Sequence, residues 1–317
     1  MPNTSVTKVY QDRATIHFNE ARHTYMIRVH NHVDKLFQPS CTGVIGMKAK
    51  PALVGWAAKQ SLKYVAKKLG EYEGAQGTPP FTVDTSEIHG WLAEAEDSWR
   101  DLDNSMTIGT IAHRFAYEEL RFRGGLSKNK PKFPIDADPV LMPDFNVAMV
   151  DAVNSSARAV LQFFDAHRID PILLERPLWS SREGVVGTPD GIAMLDGVLS
   201  IFDFKSSKAL FPEVRLQLAA LQNMYQEEFP DQVIRNRWAI NIPKNGGEVQ
   251  TETYGLDEYS EDLESFRACL TLYHFNRKHD KYAAGSPVQI LGDLDALVPR
   301  PSESPCTSHR DALDLRP

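Results

Sequence analysis

Asp190 and Asp203 stand thirteen positions apart on two runs that read as the paired strands of a hairpin. The first run contains Gly187-Thr-Pro-Asp-Gly191, the second is Ile201-Phe-Asp-Phe-Lys-Ser-Ser207, and Asp196-Gly197 between them is a dipeptide that closes tight hairpins. Pairing through that turn brings the two carboxylates together. Close carboxylates repel unless a cation lies between them, and oxygen donors of this kind suit Mg²⁺ or Mn²⁺. Lys205 follows Asp203 by two residues, so strand alternation puts it on the same face. There an ammonium can orient or deprotonate a water and hold charge growing on a phosphate, while the metal acts as a Lewis acid. Acid, acid and lysine on one hairpin face are the parts that hydrolysis of a phosphodiester needs. A lone Asp-x-Lys reads as a solvated amphipathic strand, but Ile201, Phe202 and Phe204 make this strand apolar enough to be central. A charged pair in such a strand needs a partner.

The elements expected around this hairpin alternate. Two β-rich runs over residues 14–29 predict an N-terminal hairpin, and residues 40–45 a further short strand. Leu53, Trp56, Ala57, Gln60 and Tyr64 recur at helical spacing, predicting a helix over 51–69, followed by a loop over the Gly- and Pro-bearing residues 70–80. Helices are expected from residue 85 or 86 to 102, over 107–122 and over 144–167, with an exposed loop at 124–143. Residues 171–180, 183–195 and 198–207 read as strands, 212–229 as a helix with Val214, Leu218, Leu221 and Tyr225 on one stripe, 233–242 and 248–254 as strands, and 257–279 as a helix. This order predicts an α/β fold, a small mixed β-sheet flanked by helices with an N-terminal β-hairpin and helical elaboration. One domain is expected over residues 1–283, with 1–105 the elaboration and 106–283 the core, and a flexible tail over 284–317.

Charge and cysteine content bound the function. With 42 Asp and Glu against 35 Lys and Arg, a formal charge of −7, the chain cannot coat nucleic acid indiscriminately. Its cations gather in two windows: Lys48, Lys50, Lys59, Lys63, Lys67 and Lys68 with no acid among them, and Arg121, Arg123, Lys128, Lys130 and Lys132. Both are candidate tracks for a phosphate backbone, or solvated surface. Cys41, Cys269 and Cys306 form no CxxC pair, which argues against a disulfide framework, a cysteine zinc site or an iron–sulfur cluster. No apolar run approaches the roughly 20 residues that cross a bilayer, and the first residues lack a basic segment followed by an apolar one. A soluble, unexported protein without a membrane partner is expected. No Walker A sequence occurs, so no helicase motor is expected.

Pro189-Asp190 followed by Asp203-Phe-Lys205 resembles the motif of the PD-(D/E)XK nuclease superfamily, and more narrowly its RecB-type exonucleases. That subgroup has a GxxxH helix, a GxxD strand, a DxK strand and a QxxxY helix. Here Gly109-Thr-Ile-Ala-His113, Gly187-Thr-Pro-Asp190, Asp203-Phe-Lys205 and Gln217-Leu-Ala-Ala-Leu221 stand in that order, with leucine at the usual tyrosine. Pro39-Ser-Cys-Thr-Gly-Val-Ile45 and Leu53-Val-Gly-Trp56-Ala-Ala are similar to phage-encoded members and, more distantly, to the mitochondrial genome maintenance exonuclease. The resemblance implies a restriction-endonuclease-like core and a metal-dependent DNA exonuclease acting on ends or single strands and leaving 5′ phosphates. It implies one or two Mg²⁺ or Mn²⁺ ions held by His113, Asp190, Asp203 and the Phe204 carbonyl, with Asp190, Asp203 and Lys205 catalytic. Gln217 would touch this network or a nucleotide, or cap a strand carbonyl, and Tyr225 would take over the aromatic role. Glu175 would approach the metals or form a rim salt bridge with Arg176 or Arg182; Ser206 would bond a phosphate or end its strand. Recombination or replication proteins are candidate partners, and the cytoplasm of a bacterium or phage-infected cell is expected before the mitochondrion. A structure-specific or restriction-like endonuclease is the alternative, and a non-catalytic DNA-binding or nuclease-inhibitory protein the alternative of another class.

Overall fold

The computed structural model describes residues 4–30, 35–48, 51–76, 83–97, 100–135, 147–207, 209–244, 247–279 and 292. The expected flexible tail lies outside them apart from Gly292, as does Lys50. The chain divides into two compact units, one of Met1–Met47 with Ile111–Pro317 and one of Lys48–Thr110. Residues 1–47 therefore belong with the core, and the second unit begins inside the segment expected as a single elaboration.

The first unit opens with an antiparallel meander of β1 (Thr4–Val9), β2 (Ala14–Asn19), β3 (Thr24–Val29) and β4 (Leu36–Gln38). The β2–β3 pairing sets Ala14 against Val29, Ile16 against Ile27 and Phe18 against Tyr25, putting one apolar face onto Trp179 and Val186. Residues 40–45, expected as a strand, are instead a helix, α1 (Cys41–Ile45). Ser40 caps it: the Gly43 N–H donates to the Ser40 Oγ at 3.0 Å, which local β propensity does not reveal. Cys41, Val44 and Ile45 then share a buried face.

In the second unit α2 (Pro51–Gln76) and α3 (Thr85–Asp97) pack together, with Tyr72 edge-on to Trp91 at 5.9 Å. The loop expected from residue 70 is helix as far as Gln76. A single glycine costs a helix about 1 kcal/mol, a cost that flanking helix formers and the Lys67–Glu71 pair at 3.8 Å offset. The expected helix to residue 102 is described as far as Asp97, and the next, α4 (Arg100–Arg123), starts earlier than expected.

The core unit continues with α5 (Val147–Ala166), β5 (Ile169–Leu174), β6 (Leu178–Ser180), β7 (Val185–Gly187), β8 (Gly191–Leu195), β9 (Val198–Lys205), α6 (Glu213–Glu228), β10 (Asn236–Asn241), β11 (Gln250–Tyr254) and α7 (Tyr259–His279). A five-stranded sheet runs in the order β11-β10-β9-β8-β5. Only β9 and β10 are parallel, joined across α6; the other pairs are antiparallel. Residues 183–195, expected as one strand, divide into β7, paired with β6 in a separate ribbon, and β8 in the main sheet. Pro189 lacks an amide proton to continue a ladder, and a Cβ on Gly191 would meet the Phe202 ring at 2.1 Å, so only glycine lets β8 start there.

The sheet separates two cores. On one face Ile192, Ile201 and Ala239 meet α6, α7 and α1; on the other Phe202, Phe204, Ile240 and Ile242 meet α5 and the end of α4. The architecture is mixed α/β. Among the described residues no helix is long and apolar enough to cross a membrane.

Candidate active site

The Asp196-Gly197 turn forms as expected, both residues having positive φ, 51° and 82°, as a type I′ turn requires. The register then runs from Leu195 opposite Val198 to Gly191 opposite Phe202, so one further step sets Asp190 against Asp203. Asp190 is not on the strand itself but in the bend before it. Its Oδ2 accepts the Phe204 N–H at 2.6 Å, and its carbonyl accepts the Glu175 N–H at 3.2 Å. These bonds anchor the carboxylate where the β8 ladder ends. A strand residue turns its N–H and C=O to the same side, so the Phe204 carbonyl also opens toward Asp190.

Asp203 lies inside β9 and is 4% exposed. Its Oδ1 accepts from Gln217 Nε2 at 2.7 Å, and Lys205 Nζ stands 2.5 Å from its Oδ2. Lys205 also donates to Gln217 Oε1 at 2.9 Å. Gln217, turned inward from α6, thus ties acid and lysine together. Of the readings open to it, membership of the acid–lysine network is the one adopted. His113 reaches the group from α4, with Nδ1 3.3 Å from Asp190 Oδ1 and its ring edge-on to Phe204 at 6.0 Å. The His113 and Asp190 side chains are 29% and 18% exposed against 5% for Asp203; the Asp190 side is the open mouth.

Electrostatics separate the two acids. Burial pushes the Asp190 carboxyl up, but His113, Lys205 and the Phe204 N–H together hold it below the usual carboxylate range. At Asp203 burial prevails: despite Lys205, burial and the Asp190 charge keep its carboxyl above that range. Burial opposes the charged forms of His113 and Lys205, yet the neighbouring carboxylates raise both.

The remaining expected residues are placed differently. Glu175 follows β5 at a φ of 45°, with its backbone on Asp190, whereas Arg176, one proposed partner, is held by Glu228 at 2.6 Å. Tyr225 does not join the cluster: it is 1% exposed in the core, its ring packs on Phe229 and its hydroxyl donates to Gln232. Two helical turns along α6 from Gln217, it is carried away from the strand ends. Ser206 is half-buried just past β9. Cys41, which the sequence did not mark, lies behind the site: burial and the Asp203 charge push its thiol up to about 12, so it packs as a neutral group. A Cβ on Gly187 would meet its Sγ at 2.9 Å and Leu221 at 2.6 Å, a tight contact that gives the glycine before Thr-Pro-Asp its reason.

In the basic windows, Lys59, Lys63 and Lys67 are exposed on α2, and Lys128, Lys130 and Lys132 on the loop after α4. Arg123 is already engaged by Glu119 and Asp165, both at 2.8 Å.

Among the described residues no three His, Cys, Asp or Glu side chains form a ready-made metal cage. The donors nonetheless fit a hard cation of the Mg²⁺ kind, which uses one or two carboxylates and retains several waters. Asp203 Oδ2 is the observation that favours the fit: it is a buried carboxylate oxygen whose partner is the Lys205 ammonium at 2.5 Å, a position that a bound cation would take in the ammonium's place. With Asp190, the Phe204 carbonyl and His113 it makes an oxygen-rich set at the end of a sheet. No protein-family model and no curated protein sequence matches the chain.

Proposed function

We propose that this chain is a metal-dependent deoxyribonuclease that hydrolyses phosphodiester bonds at DNA ends or in single strands, leaving 5′ phosphates, on a restriction-endonuclease-like core. The observation that carries the reading is the convergence of Asp190, Asp203, Lys205 and Gln217 where the β8 ladder ends and β9 continues. Four polar groups, three of them ionisable, are costly to hold together in a sheet interior, and their arrangement suits a phosphate and a cation. The mixed sheet flanked by helices supports the core assignment.

Asp190, Asp203, the Phe204 carbonyl and His113 would hold Mg²⁺ or Mn²⁺, which when bound supplies Lewis acidity at the phosphate. Asp190, at the open mouth, faces the incoming strand. Lys205 keeps its proton beside Asp203 and contributes a hydrogen bond to the attacking water and positive charge beside the phosphate. Gln217 fixes the Lys205 rotamer and the Asp203 carboxylate through two bonds, so both are preorganised. The exposed lysines of α2 and of the loop after α4 are the proposed contacts to backbone phosphates, and cleavage should weaken steeply with salt.

The test is incubation of end-labelled single- and double-stranded DNA with Mg²⁺, Mn²⁺ or EDTA, comparing wild type with Lys205→Ala and Asp203→Ala. Cleavage that needs metal and is lost in both variants is expected; metal-independent cleavage, or unchanged activity in both, would falsify the reading. Degradation of linear but not covalently closed circular DNA identifies the exonuclease over the endonuclease.

A further inference from the structure

Asn241 ends β10 directly opposite Lys205 in the parallel β9–β10 pairing. Paired strand residues rise from the same face, with strands about 4.8 Å apart, so Asn241 shares the face of Asp203 and Lys205. It is 3% exposed, and its Oδ1 is a buried oxygen with no hydrogen-bond partner. Its Nδ2 reaches 3.5 Å toward Gln250 Oε1 on β11, which leaves the carbonyl end of the amide for the β9 side. Buried acceptors are almost always paired; an orphaned one beside a catalytic lysine calls for a donor.

That donor is at hand. Lys205 Nζ lies 2.5 Å from Asp203 Oδ2 and donates to Gln217 Oε1, whereas a cation held by Asp203 needs the same carboxylate oxygen. An ammonium and a divalent cation cannot share it without strong repulsion. We propose that Asn241 is a positioning residue, whose side-chain carbonyl receives the Lys205 ammonium when a divalent cation takes the Asp203 oxygen. Lys205 keeps its bond to Gln217, exchanges an ion pair for a neutral acceptor and stays beside the reacting phosphate. This inference rests on the nuclease reading of the same site.

The experiment is a double-mutant cycle on cation binding, read by calorimetric titration of the full chain with Mg²⁺ and with Mn²⁺, without DNA. Asn241→Leu, of similar size, should weaken binding about tenfold, the effect of one lost charge-assisted hydrogen bond, and Asn241→Ala should do the same. In a Lys205→Met background neither substitution should change affinity, because no ammonium needs a new acceptor. The cation-free melting midpoint of Asn241→Leu should not fall, since an orphaned polar atom is replaced by an apolar one, which separates the effect from misfolding. Equal weakening in both backgrounds, or none with Lys205 present, overturns the proposal while leaving the nuclease reading intact. A wild-type chain that binds neither cation overturns both.

Discussion

The β8–β9 hairpin carries an aspartate–histidine pair at each end, and the two pairs behave differently. At the turn, Asp196 Oδ2 meets His167 Nδ1 at 2.7 Å and Asp196 Oδ1 accepts the Arg168 N–H at 2.8 Å. At the open end, Asp190 meets His113 at 3.3 Å. The turn pair is the shorter, yet it stands where 47% of the aspartate side chain is exposed, and the groups that act on its carboxylate are the donors His167 and Arg168. Its hydrogen bonds simply lower the carboxyl below its usual range. At the open end Asp203 brings a second carboxylate into the interior, so one acid is held low and the other high. An Asp–His pair is therefore no signature of chemistry. Two acids brought together beside one lysine are the feature on which the proposed chemistry rests.

Substitutions at the two ends should separate accordingly. The largest effect is expected from Asp203→Ala, with cleavage down by about 10³-fold or more, as for loss of a central electrostatic group. Asp196→Ala should leave single-turnover cleavage of end-labelled DNA within about twofold of wild type. Its cost should be stability, about 1 kcal/mol for its hydrogen bonds, read as a few degrees in the melting midpoint. Lys205→Ala should follow Asp203→Ala closely, and Lys205→Arg should not restore the rate, because a planar guanidinium cannot occupy the space of a point charge between Asp203 and Gln217. Equal losses at the turn and the open end would erase the distinction.

A smaller effect is expected at the histidines. His113→Ala should raise the Mg²⁺ concentration for half-maximal cleavage about 10- to 100-fold, the scale for loss of a metal-site residue; His167→Ala should alter only the melting midpoint. The smallest effect is on acid stability in EDTA. The folded Asp196 carboxyl is depressed, so its stabilising contribution is present above the unfolded value near 4 and is lost as pH falls through the folded value. Asp196→Asn should flatten that part of the melting curve against pH by well under about 1 kcal/mol, given its exposure. Asp203 has the opposite sign: its raised carboxyl favours the fold on the acid side of its window, and that contribution is lost as pH rises through the folded value.

The hairpin was legible because its determinants are local. An Asp-Gly turn fixes a two-residue loop, a two-residue loop fixes the register, and the register puts Asp190 against Asp203 with Lys205 on the same face. Residues 40–45 were misleading for the converse reason. Six residues carry too little periodicity to separate helix from strand, and what decided it was the Ser40 cap together with the burial of Cys41, Val44 and Ile45. The Tyr225 stripe position was legible as helical and apolar, but the stripe could not reveal that this part of α6 faces Phe229 and Gln232. The split of residues 183–195 was signalled by Pro189 and Gly191, though not the pairing of β7 with β6 rather than β5.

The sequence alone determined most of the longer helices and strands, the turn that closes the hairpin and therefore the proximity of Asp190, Asp203 and Lys205, since backbone geometry sets those distances over a span of sixteen residues. Tertiary structure decided the rest: that His113, 77 residues before Asp190, meets it from α4, that Gln217 bridges acid to lysine from α6, and that the crossover after β9 lays Asn241 beside Lys205. These distances are set not by spacing along the chain but by which faces of helix and sheet bury their apolar residues against one another, and only the packed core determines that.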